Sequence, residues 1–336
     1  MLKRLPKKIQ PLWSRAVLAL TLGLVSCSSS PQSSPPITQS LPKVVATTGV
    51  LCDLTRQIAQ NTIDLTCLVK PGQDPHTYQP QPEDRKAIET ANLIFYGGYG
   101  HEPTLLKLIA ATKNQAAKVA VHEQAVPKPL MGQEDNHEGE EKPSAGEPVP
   151  DPHVWHNTQN GIRMVAVISS ELQKLAPSRA ELYTRNAQQL TSNLQQLHRW
   201  IETQLATLPP GKRQLVTTHD ALNYYAQAYG LKMVGALQGI TTNEQPTPKR
   251  IAELASEIKS TGVPTIFAET TVNPKLMQSV AREAHVKISE QELYSDGLGP
   301  PGSGADTYQG MLIANTCAIA QGLGSHCTPF AGQVSP

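Results

Sequence analysis

Residues 43–69 read KVVATTGVLCDLTRQIAQNTIDLTCLV. The β-branched run Lys43–Thr48 predicts a strand, the helically spaced apolar residues of Val50–Gln60 predict a helix, and Ile63–Val69 predicts a second strand. A strand, a helix and a strand in this order form a right-handed βαβ unit with parallel strands. The stretch therefore predicts an α/β protein, in which ligand sites gather at the carboxyl ends of the strands.

The same alternation continues on both sides of a long helical region. Further strands are predicted at Leu93–Tyr96, Lys118–Val121, Gln214–Thr218, Leu231–Leu237, Thr265–Glu269 and Val286–Ser289. Between the two groups, residues 179–208 carry one apolar stripe at helical spacing. A helix of about 30 residues would span about 45 Å, too long for a crossover within one lobe. We therefore expect two α/β lobes with parallel sheets, linked by a long helix; the alternative is two shorter helices that break near Ser192.

The tripeptide Asp-Pro-His occurs twice, in VKPGQDPHTYQPQPED (69–84) and in PDPHVWHN (150–157). Proline fixes its own φ and restricts the preceding residue, so each histidine is presented from a stiffened backbone. A third histidine lies at the end of the strand Gln214–Thr218, and an aspartate lies in a Gly/Pro-rich loop near residue 296. Three imidazoles and one carboxylate form a four-coordinate set that suits zinc. The candidate ligands are His76, His153, His219 and Asp296.

Several other polar residues are candidates to lie beside this site. Glu269 ends a predicted strand at the same rim, where it is placed to accept a hydrogen bond from a ligand imidazole. His101 follows the strand Leu93–Tyr96, and His122 follows Lys118–Val121; each is a candidate ligand or neighbour of the site. His156 is expected at the surface, at the start of a helix; the alternatives are a partner of a ligand or a fifth donor to the metal.

The N-terminus has the pattern of an exported protein. Residues 1–15 contain five basic and no acidic residues, and the apolar run AVLALTLGLV (16–25) is too short to span a bilayer. The following Ser26-Cys27 completes a sequence that resembles a bacterial lipobox. We expect a signal peptide at 1–26, a lipid on Cys27, a Ser/Pro-rich tether at 27–41 and an extracytoplasmic location. The alternative is an ordinary signal peptide that ends near a cysteine.

Charge and length constrain the rest of the chain. The sequence has 29 basic and 28 acidic residues, and without residues 1–26 its net charge is near −4, which argues against nucleic-acid binding. We expect an N-terminal lobe at 42–158, a helical region with the linking helix at 159–210 and a C-terminal lobe at 211–336. The acidic segment 131–150 is expected to be a mobile loop, either a weak cation-collecting lid or a solvated insertion.

Once Cys27 carries a lipid, four cysteines remain in an oxidising compartment. Cys317 and Cys327 are expected to form a disulfide. Cys52 and Cys67 are either a second disulfide or two buried thiols.

Six ordered stretches carry a resemblance to a known family: VKPGQDPHTYQPQPED, DPHVW, TTHDALNYYAQAYGL, NEQPTPKRI, PTIFAETTVNPK and YSDGLG. Over residues 42–325 the chain resembles the metal-binding solute receptors of bacterial ABC importers, of the zinc/manganese type. The resemblance implies two lobes with four parallel strands each, joined by a rigid helix, and it places the ligands at the four residues named above. It also implies delivery of the metal to a membrane permease, without catalysis.

The resemblance also bears on the metal. In this family the third ligand is typically histidine in zinc receptors and glutamate in many manganese receptors, and here it is His219. Nitrogen-rich sites favour zinc, so we expect zinc as cargo, with manganese as the alternative. We expect a monomer.

Two other functions fit a zinc site less well. A metallohydrolase needs an open coordination position and a general base, but Asp296 would close the site and the chain has no HExxH motif. A surface adhesin with a structural metal would unfold when the metal is removed.

Overall fold

The computed structural model describes residues 40–133 and 148–332. The predicted signal peptide, the lipid attachment at Cys27 and nearly all of the tether therefore lie outside the described residues, as does most of the acidic segment. Within the described ranges, no helix combines the length and apolar character needed to cross a membrane.

The N-terminal lobe is a parallel sheet covered by helices on both faces. Its elements are β1 (Lys43–Ala46), α1 (Gly49–Ala59), β2 (Asp64–Cys67), α2 (Pro82–Thr90), β3 (Leu93–Tyr96), α3 (Pro103–Ala111), β4 (Ala117–Ala120) and α4 (Val121–Ala125). The strand order is β2-β1-β3-β4, with every pair parallel. Because side chains alternate along a strand, Val44 packs on the α1 side of the sheet while Val45 packs with Ile88 and Leu105 on the other. The predicted parallel sheet is confirmed.

The ends of the acidic segment are paired rather than loose. Strands β5 (Met131–Gln133) and β6 (Pro148–Pro150) form an antiparallel hairpin, so the prediction of a loop across all of 131–150 is wrong at its two ends. Gly132 lies against Ile240 of the other lobe, where an added Cβ would come within 2.2 Å of the Ile240 Cδ1 atom. The base of the segment is thus held against the C-terminal lobe.

Two long helices follow the hairpin. Helix α5 (Thr158–Leu175) leads into α6 (Ala180–Ala206), which runs for 27 residues without a break at Ser192. At 1.5 Å per residue α6 is about 40 Å long. Its apolar stripe is buried and comprises Leu190, Leu194, Leu197, Ile201 and Leu205. Helix α6 packs against α5, α1 and the last helix of the chain, so it touches both lobes, as the sequence predicted.

The C-terminal lobe repeats the topology of the first. Its elements are β7 (Gln214–Thr217), α7 (Asn223–Tyr229), β8 (Lys232–Ala236), α8 (Pro248–Thr261), β9 (Thr265–Ile266), α9 (Pro274–Ala284), β10 (Lys287–Ile288) and α10 (Tyr308–Gly322). β7 pairs with β8 and β9 pairs with β10, all parallel. The Phe267 N–H donates to the Val216 carbonyl at 2.9 Å and joins the two pairs. The resulting order, β8-β7-β9-β10, matches β2-β1-β3-β4.

Two disulfides hold segments within the lobes. Cys52–Cys67 joins α1 to β2, and Cys317–Cys327 joins α10 to the C-terminal segment. The Cα atoms are 5.7 Å and 5.1 Å apart, within the usual range for a disulfide. Cys52 and Cys67 therefore form a disulfide in the structure and are not two buried thiols.

Candidate metal centre

The four candidate ligands converge at one point between the lobes. His76 follows β2, His153 lies between β6 and α5, His219 follows β7, and Asp296 lies in the loop after β10. All four are buried, with at most 2% of their surface exposed. One ligand atom from each lies within 4.8 Å of those from the other three. Residues up to 220 positions apart in the chain are thus brought together at the carboxyl ends of strands from both sheets, where parallel sheets place their ligands.

Several distances between donor atoms match those around a single small cation. His153 Nε2 lies 3.3 Å from His76 Nε2 and 3.4 Å from His219 Nε2. Asp296 Oδ1 is 3.4 Å from His76 Nε2 and 3.3 Å from His153 Nε2, while its Oδ2 is 3.3 Å from His219 Nε2. Zinc bonds of about 2.0–2.1 Å in tetrahedral geometry place neighbouring ligands about 3.3–3.4 Å apart. Asp296 faces His76 and His153 with one oxygen and His219 with the other, and the four side chains are close enough to hold one zinc-sized cation.

The two Asp-Pro-His motifs present their histidines in the same way. The Asp74 Oδ1 atom accepts a hydrogen bond from the His76 N–H at 2.9 Å, and Asp151 Oδ1 accepts one from the His153 N–H, also at 2.9 Å. This local turn of the aspartate side chain onto the backbone, together with the fixed φ of proline, holds each histidine in place before any ligand arrives.

Carboxylates contact the Nδ1 atom of two candidate histidine ligands, on the side of the ring away from the centre. His153 Nδ1 is 2.9 Å from Asp151 Oδ1, and His219 Nδ1 is in hydrogen-bond contact with Glu269 Oε2. The other Glu269 oxygen accepts from the N–H groups of Thr218 and His219 at 3.0 Å and 3.1 Å. In the neutral imidazole, a carboxylate on Nδ1 fixes the tautomer whose Nε2 lone pair can bind a cation. Glu269 was a candidate for this position, whereas the contact of Asp151 was missed although the residue stands inside the motif.

The buried charges favour a cation at this point. Burial lowers the pKa of His153, but Asp151 and Asp296 outweigh burial and raise that pKa to about 9. The pKa of His219 likewise rises well above its usual value, since Glu269 and Asp296 oppose the effect of burial. Burial raises the pKa of Asp296, yet the facing imidazoles of His219, His101 and His153 hold it well below its usual range. The acidic groups thus stabilise positive charge at the centre.

The prediction of a surface position for His156 is wrong. Its side chain is fully buried, and its Nε2 donates to the Ser295 carbonyl at 2.8 Å. This bond ties the turn after His153 to the loop that carries Asp296, so His156 helps to place a ligand from the other lobe. Its ring packs against Trp155, which also contacts the rings of His101, His122 and His153 at centroid distances of 4.8–5.4 Å. Burial lowers the pKa of His156 to about 3, so it stays neutral.

His101 and His122 are buried in the N-terminal lobe beside the centre. His101 Nε2 lies 3.7 Å from Asp296 Oδ1, and its Nδ1 lies 3.6 Å from Glu102 Oε2. Burial lowers the pKa of His101 to about 3, with partial opposition from Asp296. His122 stacks behind His101 at 5.7 Å between ring centroids. His101 therefore borders the candidate ligands, and His122 lies one layer further out.

Sequence comparisons with known proteins find a family and relatives that match most of the chain. Residues 44–322 match the family model described as ZnuA, zinc-uptake complex component A, periplasmic. The chain is 33% identical to the manganese ABC transporter substrate-binding lipoprotein PsaA of Streptococcus pneumoniae, over 89% of this chain and 94% of that protein. It is 32% identical to the manganese-binding lipoprotein MntA of Halalkalibacterium halodurans, over 84% of this chain and 88% of that protein.

A solved structure shows the same two-lobe fold. The periplasmic zinc binding protein TroA from Treponema pallidum superimposes with a TM-score of 0.76 at 30% identity, over 84% of this chain and 99% of that one. The family and fold predicted from the sequence are thereby confirmed. The chain belongs to the ZnuA family of metal-binding, substrate-binding proteins of ABC transporters, which are receptors and not enzymes.

Proposed function

We propose that this protein captures zinc between its lobes, outside the cytoplasmic membrane, and delivers it to the permease of an ABC importer. The observation that carries the proposal is the convergence of four buried side chains whose ligand atoms all lie within 4.8 Å of one another: His76, His153, His219 and Asp296. A permease partner follows from membership of the family. The N-terminal lobe supplies two imidazoles, and the C-terminal lobe closes the site with one imidazole and one carboxylate.

The donor set supports zinc over manganese. Three imidazoles and one carboxylate form a nitrogen-rich site, whereas manganese prefers oxygen ligands. At a given site of this kind, divalent zinc also binds more tightly than divalent manganese. Manganese remains the second candidate because the relatives PsaA and MntA are both named for it, while TroA is named for zinc.

The N-terminal sequence supports attachment to the membrane. Residues 1–26 have the composition of a signal peptide, and Cys27 stands where a lipobox places its lipid-bearing cysteine. PsaA and MntA are both named as lipoproteins. We propose that Cys27 carries a lipid, that residues 27–41 act as a tether, and that the receptor works as a monomer.

Titration calorimetry on the mature, chelator-treated protein tests the metal and the ligands together. We expect zinc to displace manganese in competition. His76→Ala, His153→Ala and His219→Ala should each weaken zinc binding by well over tenfold, because each removes one donor from a four-donor site. His285→Ala, at an exposed position, is the matched control and should bind as the wild type does.

Equal zinc titration curves for the wild type and the three ligand variants would exclude this site. Tighter binding of manganese than of zinc would exclude zinc as the cargo and leave manganese. A thermal melt of the metal-free protein distinguishes a receptor from a protein with a structural metal, since a receptor stays folded without its cargo.

A further inference from the structure

One side chain of helix α10 binds the backbone of the loop that carries Asp296. Asn315 is fully buried in this helix. Its Nδ2 group donates a hydrogen bond to the Tyr294 carbonyl at 2.8 Å, and its Oδ1 atom accepts one from the Tyr294 N–H, also at 2.8 Å. A single planar amide therefore holds both backbone polar groups of Tyr294, which fixes the orientation of this backbone as well as its position.

These two hydrogen bonds lie two residues before the proposed carboxylate ligand. Ser295, the residue in between, is held from two sides: its carbonyl accepts from His156 Nε2 at 2.8 Å, and its hydroxyl donates to Glu269 Oε2 at 3.0 Å. Among the described residues, no other side chain of α10 is hydrogen-bonded to residues 293–296. The backbone that leads into Asp296 is thus fixed at successive residues, and α10 contributes to this through Asn315.

Helix α10 is itself well supported. It packs against α6 and against α1 of the N-terminal lobe. Thr316, the residue after Asn315, is hydrogen-bonded to the Tyr225 hydroxyl at 2.7 Å. Tyr225 lies on α7, the helix that follows His219. The same helix therefore joins the loop of Asp296 to the N-terminal lobe and to the segment after His219.

The place of Asp296 at the centre leaves little room for a shift of its backbone. Its Oδ1 atom lies 3.4 Å from His76 Nε2 and 3.3 Å from His153 Nε2, and its Oδ2 atom lies 3.3 Å from His219 Nε2. Because the aspartate side chain is short, a movement of the backbone at 294–296 moves the carboxylate by a similar distance. The side chains of a binding site have to be held to within about 0.5 Å of their productive geometry. The two hydrogen bonds to Tyr294 are placed to provide that precision.

We propose that Asn315 is a positioning residue for Asp296, and this inference rests on the proposed function. Asn315 acts through the backbone at Tyr294, which sets the carboxylate against the imidazoles of the N-terminal lobe. Its loss should therefore weaken zinc binding only as far as Asp296 contributes to that binding. A residue that served packing alone would lower the stability of the protein without this link.

A double-mutant cycle with Asp296 tests the proposal, because it measures whether two residues act through one another. Zinc affinity is measured by titration in competition with a chelator. We expect Asn315→Leu to weaken binding about tenfold in the wild-type chain, the lower end of the range for loss of an outer partner of a metal ligand. In the Asp296→Ala chain, which keeps three imidazoles for zinc, the same substitution should change the affinity by less than about twofold.

Asn193→Leu is the matched control. Asn193 is a buried asparagine of α6, a helix that carries no candidate ligand, and its side chain is hydrogen-bonded to Gln189 of the same helix. The substitution there also removes a buried amide, so the zinc affinity should equal that of the wild type. Thermal melts of the metal-free variants establish that each is folded. Asn315→Ala, which introduces a smaller side chain, enters the same cycle if Asn315→Leu does not fold.

Two results would overturn the inference and leave the proposed function intact. One is an equal zinc affinity of the wild type and Asn315→Leu; the other is an equal loss in the wild-type and Asp296→Ala chains, which would mean that Asn315 does not act through Asp296. An Asp296→Ala chain that binds zinc as tightly as the wild type would exclude Asp296 as a ligand and overturn the inference with it. A wild type that binds no zinc would overturn both the inference and the proposed function.

Discussion

The candidate site depends on carboxylates that contact its histidines, Asp151 on His153 and Glu269 on His219. Glu269 contacts His219 Nδ1 and also accepts a hydrogen bond from the Ser295 hydroxyl at 3.0 Å. Ser295 directly precedes Asp296 in the chain. One carboxylate therefore positions two candidate ligands of the C-terminal lobe. The sequence pointed to Glu269 because it ends a predicted strand at the correct rim. It did not point to Ser295 or Asp151, because a hydrogen bond from a ligand leaves no periodic or compositional signal.

We expect Glu269→Gln to weaken zinc binding by about 10- to 100-fold, the range for loss of an outer partner of a metal ligand. Glutamine keeps the size of the side chain but removes the charge that fixes the His219 tautomer. Titration calorimetry measures the effect, with Glu253→Gln on the exposed side of α8 as the control. Zinc affinity in Glu269→Gln equal to that of the control would show that Glu269 has no orienting role.

A buried carboxylate joins the first and last helices of the described residues, α1 and α10. Asp53 lies on α1 and accepts a hydrogen bond from the N–H of Tyr308, the first residue of α10, at 2.8 Å. It accepts a second hydrogen bond from Gln57 Nε2 at 2.7 Å. Burial raises the pKa of Asp53 to about 6, although the bonds from Tyr308 and Gln57 oppose it. Folding therefore favours the protonated form, and the contact between α1 and α10 depends on pH.

The sign of this dependence gives a prediction. The carboxyl group titrates near 3.8 in the unfolded chain and near 6 in the folded one, so its stabilising effect is complete below pH 4 and is lost as the pH rises through 6. The shift corresponds to about 2–3 kcal/mol of unfolding free energy. Asp53→Asn keeps an acceptor for the Tyr308 N–H without a titrating group.

Urea unfolding of the metal-free protein from pH 4 to 7.5 measures this effect. The wild type should lose about 2–3 kcal/mol relative to Asp53→Asn over that range. Parallel stability curves for the two proteins would show that Asp53 does not titrate between them.

Across the fold, the sequence predicted the elements that local residue patterns determine. The two parallel lobes and the unbroken α6 follow from strand–helix alternation and from one long apolar stripe. The nine-residue α3 and the hairpin β5–β6 were not predicted, because a short apolar run and a three-residue strand carry too little periodicity. The burial of His156 was missed for another reason: its partner Ser295 is 139 residues away, and only the packed fold brings the two together.

Contacts between the two lobes also lie directly beside the candidate site. Asp74 Oδ2 accepts a hydrogen bond from the Thr242 hydroxyl of the C-terminal lobe, while its Oδ1 holds the His76 N–H. The neighbouring Ile240 packs on Gly132, at the base of the acidic segment. The loop that carries Ile240 and Thr242 therefore grips the N-terminal lobe directly beside a candidate ligand.

We expect Thr242→Val to release zinc about 10- to 100-fold faster, because a hydrogen bond to a charged group contributes about 1.5–3 kcal/mol and valine keeps the shape of threonine without the hydroxyl. Since the bond forms only when the lobes meet, the association rate should change little. Stopped-flow mixing of the zinc-loaded protein with excess chelator measures the release, and Thr241→Val at the adjacent position is the control. Equal release rates in the two variants would mean that the Asp74–Thr242 contact follows closure of the site and does not maintain it.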